Sequence, residues 1–229
     1  DSMMQEGKRS LKSHSLMLST SFESDLDKPS FRITNGVVKL DLLEANLEGI
    51  YNQADSGYVD MHISANHKDL SELAKMDVLN SEYLPDVRKG SLAIDARIKG
   101  KTAGKLPVVE ADVSLKDMEV HNAFGKVIDK ASFNAKLFTG IRQDMRDGKA
   151  TFNNMEISFA SGGYVKGAAT IENFAYPNFR INWEAVESLD DLYRIFRFSD
   201  IKQMSGSMRS QANISGKFNL ESNQLVSPK

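Results

Sequence analysis

Cysteine is absent from these 229 residues, and with it go disulfides, zinc–thiolate sites and thiol nucleophiles. Proline is scarce, at 5 residues, and no Pro/Ser-rich stretch divides the chain with a flexible joint. Long apolar runs are missing. None approaches the roughly 18 residues that cross a bilayer as a helix. The first six residues, Asp1 to Glu6, are polar and lack a signal-peptide core. An excess of one charge is missing too: Lys+Arg is 29 and Asp+Glu is 31, a formal net charge of −2. No field of either sign exists to recruit nucleic acid or an anionic membrane surface. Aromatic side chains do not cluster beside basic ones, as a stacking platform for single-stranded nucleic acid requires. No nucleic-acid partner is expected.

What is present is an alternation of period two. Leu92, Ile94, Ala96 and Ile98 alternate with Ala93, Asp95, Arg97 and Lys99. Val109 to Leu115, Phe133 to Leu137, Phe179 to Trp183 and Leu16 to Phe22 repeat the pattern. Successive strand side chains point to opposite faces, so each run has one apolar and one wet face. That predicts antiparallel rather than doubly covered parallel sheet. Asn35-Gly36, Asp55-Ser56-Gly57, Asp147-Gly148 and Ser161-Gly162-Gly163 read as turns, and Lys101 to Gly104 as a longer hairpin loop. The strands are expected to follow one another as a meander.

Two stretches break the period. Lys68 to Met76 and Glu187 to Phe196 space their apolar residues by about three and predict short helices. Ser188 is placed to cap the second, with Asp190 and Asp191 in its first turn, where carboxylates meet the positive end of the helix dipole. After each comes the frame G-S-(L/M)-x-x-x-A-x-I-x-G-K, first from Gly90 and again 116 residues later from Gly206. A repeat at fixed displacement predicts an elongated array, in which each unit buries its apolar face beside its neighbours. Residues 1–85 are then the C-terminal part of one unit ending in a short helix. Residues 86–205 are a complete unit with its helix at about 187–197, and 206–229 hold the first strand of the next. All lie in one continuous domain, expected to be a segment of a longer protein.

Catalytic constellations are not found. His62 and His67 are five apart, neither the helical i, i+4 nor the strand i, i+2 spacing that aims two imidazoles at one metal. Ser161-Gly162-Gly163 lacks the Lys and Ser/Thr of a phosphate loop, and no G-x-S-x-G elbow occurs. Gly90-Ser91 and Gly206-Ser207 read as strand starts with a tight backbone turn. No enzyme activity, metal or cofactor is expected. The apolar face remains. It is either the core of a closed β-sandwich, a binding or structural module, or the lining of an open curved sheet that holds apolar ligands.

The order of a short D-L-x-x-(L/I) helix (Asp191 to Ile195), a G-S strand (Gly206 to Gly216), the strand Leu106 to Val120 and the hairpin Gly148 to Ile171 resembles the AsmA-like family of bacterial envelope proteins, with its TamB-type relatives. Val37 to Met76 resembles the hairpin and helix of the same unit. The resemblance implies an all-β, antiparallel, strongly twisted meander with two short helices, open as a repeat-built β-groove. It implies a periplasmic segment of a protein anchored in the inner membrane, shielding phospholipid acyl chains in transport to the outer membrane. Membrane contact would come from other parts of the parent chain, and sheet edges could support self-association. The residues expected to line the groove are Leu92, Ile94, Ile98, Val109, Val113, Leu115, Phe133, Leu137, Ile171, Phe179, Ile181 and Trp183.

Overall fold

A computed structural model describes residues 4–5, 8–9, 16–25, 29–40, 43–53, 57–71, 86–104, 106–122, 125–196, 203–219 and 224–226. A small hairpin comes first, β1 (Met4–Gln5) and β2 (Lys8–Arg9). Then follow β3 (Leu16–Asp25), β4 (Ser30–Leu40), β5 (Leu43–Asn52) and β6 (Tyr58–His67). The longest strands come next: β7 (Asp86–Lys101), β8 (Val108–Asn122) and β9 (Gly125–Phe138). β10 (Lys149–Phe159), β11 (Tyr164–Glu172) and β12 (Asn178–Ser188) lead into the helix α1 (Leu189–Phe196). β13 (Ser207–Asn219) and β14 (Gln224–Val226) complete the order.

β3 to β14 form one 12-stranded sheet whose spatial order is the sequence order, antiparallel at every step. It is the expected open, curved, antiparallel meander, and β3 and β14 do not close it into a barrel. No second sheet lies on either face among the described residues. The chain exposes 15636 Å². A compact monomer of this mass would expose about 10,000 Å². Burial is accordingly thin: among the described residues the buried apolar side chains are Leu70, Leu115, Val120, Val127, Ala131, Phe159 and Ala185, and α1 packs on β9 and β12.

The helix is held as its sequence predicts. The Asp190 N–H donates to Ser188 Oγ at 3.2 Å, capping the first turn. Asp191 is 3 % exposed and accepts a hydrogen bond from the Ser161 hydroxyl in the β10–β11 turn. That bond ties α1 across the end of the apolar face. The other expected helix, 68–76, falls mostly on residues 72–85, outside the described ones. Its start is seen: Leu70 and Ser71 begin a helical turn, with the Ser71 N–H on Asp69 Oδ1 at 2.9 Å.

Two turn assignments are corrected. Asn35-Gly36 is not a hairpin turn but lies inside β4, where the register with both neighbours slips. Thr34-Asn35 form a bulge opposite β5, which returns Phe31 and Ile33 to the face of Gly36 and Val38. Gly90 does not start a strand. It sits within β7 at φ +126°, and a Cβ there would lie 2.8 Å from Met118 Cα. Gly206 does precede its strand, at φ +114°.

The sequence repeat has a structural counterpart. Val59 pairs Gly100, Met61 pairs Ile98 and Ile63 pairs Ala96 between β6 and β7. Phe179 pairs Gly216, Ile181 pairs Ile214 and Trp183 pairs Ala212 between β12 and β13. The repeated Gly, Ile and Ala therefore meet the preceding strand in the same register. Leu70 packs near Gly90 and Leu189 near Gly206, each from the helical turn just before its strand.

Candidate functional site: an open apolar face

Cross-strand pairing fixes which side chains share a face. One row of paired residues runs Thr20, Gly36, Leu47, Ile63, Ala96, Ala111, Leu137, Ala150, Ile171, Phe179 and Gly216, from β3 to β13 without a break. Only its first member carries a polar atom on the side chain. The adjacent row, on the other face, runs Asn46, Ser64, Asp95, Asp112, Lys136, Thr151, Thr170, Arg180 and Ser215. The sheet thus has one continuous apolar face and one continuous polar face.

Every residue expected from the sequence to line the groove stands on the apolar face. Leu92 pairs Leu115, which pairs Phe133. Ile94 pairs Val113 and Ile98 pairs Val109. Leu137 is joined through Ala150 to Ile171, which pairs Phe179. Ile181 and Trp183 follow at alternate positions of β12. Trp183 Nε1–H donates to Ser210 Oγ at 3.2 Å, so its polar atom is satisfied within the face.

Sequence reasoning missed the far half of this face. Leu18, Phe22, Phe31 and Tyr51 on β3 to β5 lie on it and are exposed, Phe22 at 63 % and Leu18 at 60 %. Ile33, Met61, Phe152 and Ile214 belong to it as well. The signal was the same alternation, but bulges hide its continuity. In β10 the register slips between Phe152 and Met155, where Asn154 has φ +51°. Strict counting by twos past that point assigns the wrong face. The face is covered towards the end of β12, where Ala185 is 1 % exposed, and open towards β3.

The polar face carries the ion pairs. A depression on it, about 760 Å³ and open to solvent, includes Arg32, Glu48, Asp60, His62, Asp95 and Arg97. Arg97 grips Asp60 with Nε and Nη2, both at 2.9 Å. Partial burial opposes ionisation of Asp60, but these bonds and Lys99 outweigh it and hold the carboxyl below its usual range. His62 lies between Asp95 (Nε2, 2.9 Å) and Glu48 (Nδ1, 3.2 Å), whose hydrogen bonds raise its pKa above 6.5. Beyond Asp95 its cross-strand neighbour is Asp112, which Lys136 meets at 3.1 Å. No group of three metal-ligating side chains occurs among the described residues. Glu119, 8 % exposed, accepts from Lys89 and His121, which lower its pKa to about 2.

These two groups give the fold opposite pH limits. The folded pKa of His62 is raised, so its stabilisation is complete below about pH 6.5 and is lost as pH rises through the folded value. The folded pKa of Glu119 is depressed, so its stabilisation is complete above about pH 4.5 and is lost as pH falls towards 2. Urea unfolding followed across pH is expected to show His62→Gln flattening the alkaline limb and Glu119→Gln the acid limb. Wild-type slopes in both variants would refute the assignment.

Comparison with protein-family models, curated proteins and solved structures finds no match for this chain. The fold and the distribution of side chains over its two faces carry the functional argument.

Proposed function

We propose that this chain shields lipid acyl chains on its apolar face, as a periplasmic segment of an AsmA-like protein in phospholipid transport between membranes. The observation that supports the reading most is the unbroken apolar row across β3 to β13, on a sheet with no covering layer among the described residues. A large apolar surface rimmed by polar residues marks an interaction site, because leaving it in water costs about 25 cal/mol per Å².

The mechanism is passive. A chain leaving a bilayer loses about 0.8 kcal/mol for each CH₂ exposed to water. Lying on a half-open apolar trough, it recovers a fraction of that at every position. The row is uniform along the sheet, so no single site traps the chain. The ionic side chains stand on the opposite face, so a head group is not fixed and stays in solvent at the open seam. This surface binds and conducts.

The test is to incubate the whole chain with vesicles of phosphatidylethanolamine and phosphatidylglycerol, re-isolate it, and quantify bound phospholipid by mass spectrometry. Roughly stoichiometric phospholipid is expected. A folded protein that returns with none would refute the reading.

A further inference from the structure

In an antiparallel meander, alternate turns leave the same end of the sheet. Phe138, Lys149, Glu172 and Asn178 stand side by side, so the β9–β10 and β11–β12 turns project together. Phe138 also pairs Glu110, two residues from the start of β8, which brings the β7–β8 turn alongside. Neighbouring turns at this end are two strands apart, about 10 Å.

Each of these turns carries an apolar tip. Among the described residues, the large apolar side chains exposed outside the sheet are Leu106 (60 %), Ile141 (73 %) and Tyr176 (63 %), one in each turn. The turns are fastened to one another. The Leu106 N–H donates to Gln143 Oε1 at 2.8 Å, and Gln143 Nε2 donates to the Leu106 carbonyl at 3.4 Å. The Asn173 N–H donates to Gly148 O at 2.8 Å and the Phe174 N–H to Met145 O at 3.0 Å. The Arg146 guanidinium lies 5.4 Å from the centre of the Tyr176 ring. Within the middle turn, Asp147 accepts from the N–H groups of Ile141 (2.9 Å) and Arg142 (3.1 Å). The tips are therefore held in place before anything binds them, and little ordering entropy is left to lose.

The charges around the tips are spent locally. The middle turn holds Arg142, Asp144, Arg146 and Asp147 and is formally neutral. Asp144 meets both arginines at 3.2 Å, and Asp147 is engaged by the backbone. No free carboxylate of this turn stands ready to repel a phosphate, and the arginine heads can lie in a head-group layer while their stems stay with the apolar tips. Separate tips about 10 Å apart suit a fluid layer, which closes around each one. A folded partner would need a matching socket for each. Tyrosine, with an apolar ring and a polar hydroxyl, belongs at such a boundary.

We propose that this end of the sheet docks on a phospholipid bilayer, with Leu106, Ile141 and Tyr176 inserted between head groups and acyl chains. Membrane contact, expected from other parts of the parent chain, is then made by this chain too. The inference rests on the three turns and stands whether or not the apolar face carries lipid. With a formal net charge of −2, no long-range attraction assists, so insertion carries the binding and salt leaves it unchanged.

Because the chain has no cysteine, one introduced thiol can carry an environment-sensitive fluorophore. Ile141→Cys labels the middle tip. Ala160→Cys labels an exposed position in the β10–β11 turn, at the opposite end of the sheet. With phosphatidylcholine vesicles, the first label is expected to shift to the blue and be quenched by nitroxide-bearing lipid, and the second to stay in water. In vesicle co-sedimentation, Ile141→Gln is expected to weaken binding about fivefold or more, and Ile141→Trp to tighten it. Wild-type binding is expected to be equal in low and high salt. Folded Val113→Asp, whose new charge lies on the apolar face, is expected to dock as wild type does, so docking and lipid loading are read separately. A wild type that leaves the vesicles bare, equal responses from the two labels, Gln and Trp variants that bind alike, binding abolished by salt, or loss of docking in Val113→Asp would each overturn the proposal.

Discussion

Val113→Asp is expected to lower bound phospholipid at least tenfold while the protein stays folded. Val113 stands on β8 near the middle of the apolar face, between Ile94 and Ala135. An acyl chain lying across it would have to desolvate the new carboxylate, at a cost above the 1.4 kcal/mol that corresponds to a factor of ten. Without lipid, the same carboxylate faces solvent from a half-buried position, so the fold loses little. Thr151→Asp is the matched control. It places an equal charge on β10 on the opposite face and is expected to leave occupancy at the wild-type level. Circular dichroism establishes that both variants are folded, and mass spectrometry of re-isolated protein reads the lipid. Wild-type occupancy in folded Val113→Asp would remove the apolar face from consideration as the binding surface.

Gly49→Val is expected to have the largest effect on stability, about 3 kcal/mol or more. Gly49 lies inside β5 at φ +146°, a conformation L side chains rarely adopt. Its missing Cβ leaves room for the facing backbone of β6. A Cβ would meet the Asp60 carbonyl oxygen and come within 2.7 Å of Met61 Cα. Both contacts are to backbone, so no rotamer change relieves them. Gly104→Ala separates the two causes, because Gly104 has φ +65° but open space around it. That variant is expected to lose about 1 kcal/mol from backbone strain alone. Equal losses in urea unfolding would refute the close-approach account of Gly49.

Much of this architecture was legible in the sequence because a strand exposes its faces by simple alternation. The runs at Leu92, Val109, Phe133 and Phe179 needed no three-dimensional information to be read as strands with one apolar face. The second helix was legible from Ser188 and the acidic pair, since capping is a local event between the Asp190 N–H and the Ser188 hydroxyl. Asn35-Gly36 was misread for a related reason. The dipeptide tolerates unusual backbone angles, and a bulge uses that tolerance as readily as a hairpin turn does. Its neighbours Ile33 and Val38 are an odd number of residues apart, which in an unbroken strand would put them on opposite faces. Only pairing with Gly49 and Ala45, four residues apart on β5, shows that they share one.

The sequence by itself determined that the chain makes antiparallel strands with one apolar side, linked in order and broken by short helical turns. Those are consequences of φ/ψ preference and side-chain period, which each segment carries alone. The tertiary structure decided that the apolar sides join into one row across the sheet and that no second layer covers it among the described residues. Each of these depends on register between segments far apart in the chain. A slip of one residue would turn a strand's apolar side chains to the other face, and hydrogen bonds and bulges between neighbouring strands set that register.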